Sequence, residues 1–93
     1  MRRVVVTGMG CVTPVGNDVP TFWESLKQGK CGIGPITHFD TTDYKVKVAA
    51  EVKDFDPLQY MEKSELRKYD VFCWYAMAAA TQAVEESGIK DTL

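Results

Sequence analysis

Hydrophobic positions along the chain change their spacing from segment to segment, and each spacing predicts a different element. Val4, Val5 and Val6 form an unbroken β-branched run. Without polar alternation, such a run suits a central strand covered on both faces in a parallel sheet. Glycines at 8, 10 and 16, with Pro14 among them, then predict a tight apolar connection where a strand hands over to a helix at close quarters. Val19, Phe22, Trp23 and Leu26 follow at i, i+3, i+4 and i+7, the stripe of a helix laid on a sheet. That helix is predicted over 19–28, with Asp18 as N-cap, Pro20 in the first turn and Gly29 as its stop. Glu24, Ser25, Lys27 and Gln28 fall on its wet side.

Residues 29–42 carry turn formers throughout and no sustained period, which predicts a surface loop anchored by Ile33, Ile36 and Phe39. From 44 to 52, Val46, Val48, Ala50 and Val52 alternate with more polar positions, the period of a half-exposed strand without an evident partner. Residues 54–58 predict a turn opening a short helical piece that ends near Met61. Ser64 then offers an N-cap for a helix running to about Ser87, stopped by Gly88 and about 36 Å long. Within it, residues 71–80 are apolar around the whole circumference, so that stretch must be enclosed on all sides. The alanines at 76, 78, 79 and 80 let neighbouring backbones come close.

Length sharpens this inventory into a mismatch. Ninety-three residues make one domain at most, and a chain of that size buries about 60% of its unfolded surface. One buried strand, one half-exposed strand and two helices, one needing neighbours on every side, cannot satisfy each other. The 93 residues are therefore predicted to be the opening of a larger α/β protein, an incomplete piece that exposes core surface when alone. With 45% hydrophobic and 26% charged residues the composition is ordinary globular, which excludes a disordered tail and a disulfide-dense mini-protein. A formal charge of −2 gives no overall attraction for nucleic acid or an anionic membrane.

Candidate chemistry is sparse. Cys11, Cys31 and Cys73 are an odd set without CxxC spacing, and the single His38 has no companion ligand, so neither zinc nor a disulfide framework is predicted. Reduced thiols point to the cytoplasm. The basic start and apolar stretch of residues 1–16 imitate a signal peptide, but Thr7 and three glycines interrupt it and no cleavage site follows. The ten-residue run 71–80 is well short of the roughly 20 residues a membrane helix needs. Gly8-Met9-Gly10 suggests a dinucleotide loop, yet the third glycine would fall at Thr13, Pro14 follows, and Gln28 stands where the acidic residue belongs. No cysteine sits beside a histidine or a helix N-terminus that would activate it, so all three read as inert and His38 as a loop residue. Lys63, Arg67 and Lys68 gather near the start of the long helix, interspersed with Glu62, Glu65 and Asp70, which by itself describes an ordinary solvated helix end.

A resemblance changes the weight of that cluster. RRVVVTGMG, the T-P-V-G-N turn, the G-I-G-P-I-x-x-F-D loop and R-K-x-D ahead of an Ala-rich helix closely resemble the opening of the β-ketoacyl-ACP synthases, the type II enzymes above all, in register over all 93 residues. The resemblance implies a thiolase-like α/β fold of two related halves in layers, α-β-α-β-α, usually as a homodimer. It implies fatty acyl elongation: a cysteine takes the acyl group from acyl carrier protein (ACP), and malonyl-ACP is decarboxylated with two histidines assisting. The resulting carbanion attacks the thioester to give β-ketoacyl-ACP, with no organic cofactor. In the family those catalytic residues lie beyond the position matching Leu93, so none is expected within these 93 residues and the segment alone is expected to be inactive. A non-catalytic relative of the chain-length-factor type, paired with an active synthase, is the alternative. In relatives the basic start of the long helix belongs to the surface that docks acidic ACP. Arg67 and Lys68 fall on those positions, whereas Ser64 stands where some relatives have lysine.

Overall fold

The computed structural model describes residues 2–89. Helix α1 (Val19–Gln28) forms as predicted. Asp18 accepts a hydrogen bond from the Thr21 N–H at 2.8 Å, and Gly29 closes the helix in the left-handed conformation. Strands β1 (Ile33–Pro35) and β2 (Val48–Ala50) pair antiparallel, with Ile33 opposite Ala50 and Pro35 opposite Val48. A 3₁₀ turn (Pro57–Gln59), a one-turn helix α2 (Lys63–Leu66) and the long helix α3 (Val71–Ser87) complete the order.

Four expectations need correction. The run at Val4, Val5 and Val6 forms no regular element and pairs with no strand among the described residues, and these residues are 94%, 63% and 78% exposed. A central parallel strand takes its hydrogen bonds from flanking strands, and the described residues supply none. The stretch 29–42 is not all loop: it contains β1, the partner that the half-exposed strand lacked, and β2 is shorter than the alternation from 44 to 52. The single helix from Ser64 is two helices. Ser64 lies inside α2, and Asp70, extended at φ −73°, ψ 163°, separates that turn from α3, leaving about 25 Å of continuous helix. Asp favours such a boundary because its side chain competes with interior helical bonding. Finally, Ser25 faces inward at 6% exposure and its hydroxyl donates to the Val15 carbonyl at 2.6 Å.

The amino-terminal segment is held against α3 at very close range. A Cβ at Gly8 would collide with the Ala83 carbonyl, and one at Gly10 with the Ala79 carbonyl, one helical turn away. The segment meets the helix backbone there because glycine places no Cβ between them. Ala78, at 0% exposure, is sealed on α3, as the Ala-rich pattern requires, whereas Phe72 on the same helix is 71% exposed. Full enclosure of 71–80 is thus not reached among the described residues.

Candidate functional site

Lys63, Ser64, Arg67 and Lys68 line one shallow depression on the surface. The spacing explains it: Lys63 and Arg67 are one helical turn apart, and Arg67 caps α2 while Lys68 continues the same turn through its N–H bond to the Glu65 carbonyl at 3.0 Å. All four side chains are exposed. Glu62, Glu65 and Asp70 are close in sequence, yet the ion pairs among the described residues are Lys27 with Glu24 and His38 with Glu51. The basic side chains of the depression are therefore not neutralised by direct pairing, unlike those of an ordinary mixed helix end. They can present positive charge to an acidic surface.

The depression has a firm root. Met61, two residues before Lys63, is 7% exposed, and its N–H and that of Tyr60 both donate to the Pro57 carbonyl at 3.0 Å. Tyr60 stacks on Phe55 with ring centres 6.0 Å apart, and Phe55 meets Tyr75 of α3 edge-on at 5.1 Å. The Tyr60 hydroxyl accepts from Gln82 Nε2 at 3.2 Å. Beside the root, Met61, Tyr69, Phe72 and Met77 line an apolar groove.

Gln82 joins three distant segments. Its Oε1 accepts from the Cys11 N–H at 3.0 Å, and its Nε2 donates to the Asn17 carbonyl at 2.6 Å as well as to Tyr60. Sequence reasoning passed over this residue, although a lone amide just after an apolar, Ala-rich stretch was the available signal. Glu51 was missed too. It accepts from the Thr37 hydroxyl at 2.9 Å and the Thr37 N–H at 3.2 Å, and contacts His38 Nε2 at 3.3 Å. Burial would raise its carboxyl, but the bonds from Thr37 and the His38 charge outweigh that and hold it below its ordinary value.

The cysteines form no disulfide with one another, and Cys73 stands on the wall of the apolar groove beside Met61. All three are free; Cys31 is exposed, and Cys73 lies half-buried on α3. Burial, aided by the Asp18 carboxylate, pushes the Cys11 thiol up, the reverse of what a nucleophile needs. His38 sits against Glu51 rather than any thiol. No helix among the described residues is long and apolar enough to cross a membrane.

Comparison with known proteins gives a consistent picture. The family described as "Beta-ketoacyl synthase, N-terminal domain" matches residues 1–93. A 3-oxoacyl-[acyl-carrier-protein] synthase 2 of Vibrio cholerae is 52% identical over 89 residues, which span 96% of this chain and 22% of that protein. Its counterpart from Vibrio harveyi is 50% identical over 91 residues, 98% of this chain and 22% of that protein. Among solved structures, the ishigamide ketosynthase/chain length factor superposes with a TM-score of 0.88 at 36% identity, covering 98% of this chain and 23% of that one. The chain thus spans 22% of the length of these curated relatives.

Proposed function

The chain belongs to the β-ketoacyl synthase family, in its N-terminal domain, and from that premise we propose that it is the opening segment of a fatty acid condensing enzyme. The observation that carries the reading is identity of about one half, over nearly the whole chain, with proteins named 3-oxoacyl-[acyl-carrier-protein] synthase 2. In the proposed reaction an enzyme cysteine holds the acyl group as a thioester. Malonyl-ACP loses carbon dioxide, and the electron pair released forms the new carbon–carbon bond to the acyl carbonyl. The cysteine thiolate leaves, and β-ketoacyl-ACP is the product. The nucleophile and its histidines belong to the remainder of such a protein, and this segment alone is inactive. The whole enzyme is an acyltransferase acting as a homodimer in the cytoplasm, a compartment with which the three free cysteines of this segment are compatible.

This segment's contribution is docking. Arg67 and Lys68, with unpaired cationic side chains in one depression, are the ACP-binding residues. Charges of this kind steer encounter and fix orientation. In the full-length protein, Arg67→Ala with Lys68→Ala is expected to raise the KM for ACP substrates roughly five- to ten-fold at low ionic strength and to flatten its dependence on salt. An unchanged KM at low salt would remove the docking assignment.

A second reading, a non-catalytic chain-length-factor partner, is favoured by one observation, the ketosynthase/chain length factor among the structural neighbours. Purified full-length protein given acyl-ACP and malonyl-ACP separates the two. Release of carbon dioxide with β-ketoacyl-ACP formation supports the synthase, and inactivity until an active synthase is added supports the partner.

A further inference from the structure

From the way Gln82 and Tyr60 grip the root of the basic depression, we infer that they are positioning residues for carrier docking. The inference rests on the docking role proposed for Arg67 and Lys68. Gln82 uses both amide hydrogens and its carbonyl oxygen to join the Cys11 N–H, the Asn17 carbonyl and the Tyr60 hydroxyl. Those partners stand 71, 65 and 22 residues from it in sequence. Tyr60 is held at its hydroxyl by Gln82 and across its ring by Phe55, the two rings being within 7° of parallel. Buried Met61 follows, and Lys63 begins α2 two residues later.

Long basic side chains are individually flexible, so their joint orientation is set by the backbone that carries them. A one-turn helix cannot hold itself in place, because helices this short are unstable without tertiary support. The grip on Tyr60 supplies that support from the same network that joins α3 to the glycine-rich segment. It leaves the net charge of the depression untouched. Steering and orientation therefore separate: loosening the root disperses the charges without removing any of them.

That separation defines the experiment, carried out on the full-length protein. Tyr60→Phe keeps the ring stack and deletes only the hydroxyl, and Gln82→Met deletes the amide at similar length without adding a charge. Each is expected to raise the KM for ACP-bound substrate about three-fold while leaving its salt dependence as in wild type. Activity on a small acyl thioester without a carrier should be unchanged. An unchanged KM in Tyr60→Phe overturns the inference, and so does a parallel fall in carrier-free activity, which would mark a merely structural loss. The Arg67→Ala, Lys68→Ala double variant runs alongside. If its KM rises while that of Tyr60→Phe does not, only the positioning role fails; if its KM is also unchanged, the docking reading fails and takes this inference with it.

Discussion

At the scale of single residues, the most exacting positions are those where a side chain would have no room. Gly8 and Gly10 face the Ala83 and Ala79 carbonyls on one face of α3, and the nearest obstructing atoms are backbone, which cannot swing aside as the end of a side chain can. Gly10→Ala should therefore force the amino-terminal segment off the helix and disturb the Cys11 N–H bond to Gln82 next to it. The expected loss is about 2 kcal/mol of stability, read by urea unfolding of the full-length protein. An alanine variant as stable as wild type would show that the close approach is not needed. The glycines were legible in the sequence as a site of close approach, but not their partner, because nothing local says that a helix 70 residues later lies against them. Ser25 was misread for a related reason. The hydropathy pattern assigns a serine to water, and only the fold brings the Val15 carbonyl to 2.6 Å from its hydroxyl.

At the scale of elements, what could be read depended on whether the determinants are local. Helix α1 was readable to the residue, since its cap, its apolar stripe and its terminal glycine all lie within 12 positions. The boundary between α2 and α3 was not, because residues 67–70 hold neither Gly nor Pro; Asp70 was the one available signal. Strand β1, three residues including Gly34 and Pro35, has almost no strand propensity and exists through its pairing with β2. The basic depression was legible as a charge cluster, whereas the absence of direct pairing with Glu62, Glu65 and Asp70 depends on where side chains point. Glu51, just past β2, fastens the segment after β1 through Thr37 and His38. Its carboxyl is depressed in the folded protein, so the stabilisation it contributes is present above its ordinary value of 4.5 and is lost as pH falls through the lower folded value. Glu51→Gln should therefore destabilise the full-length protein at about pH 6 by an amount that shrinks as pH is lowered through that region. Thermal unfolding across the series checks this, and a difference independent of pH would mean that the carboxylate charge is not what fastens the segment.

At the scale of the whole molecule, area and shape lead to one conclusion. A compact monomer of 10.4 kDa should expose about 5,400 Å², by the usual scaling of surface with mass, whereas this chain exposes 7605 Å². Its radius of gyration is 16.3 Å, against about 12 Å for a compact domain of this length. The excess, on the order of 2,000 Å², is the size of a substantial interface rather than of surface roughness. It is apolar where it matters: Val4, Val6, Trp23, Phe72 and Met77 are exposed, and among the described residues the buried hydrophobic ones are Met61 and Ala78. Such a surface is stable in water only when covered. In the condensing enzyme proposed above the cover is the remainder of the same polypeptide, since relatives are several times longer than this chain. The 93-residue chain by itself should bind a hydrophobic dye such as ANS strongly and lose its helical signal gradually in urea, because cooperative unfolding requires a closed core. The full-length protein should do neither. A sharp two-state transition in the isolated chain, with no dye bound, would mean that its exposed faces pack against each other in solution, and the need for covering surface would then fall away.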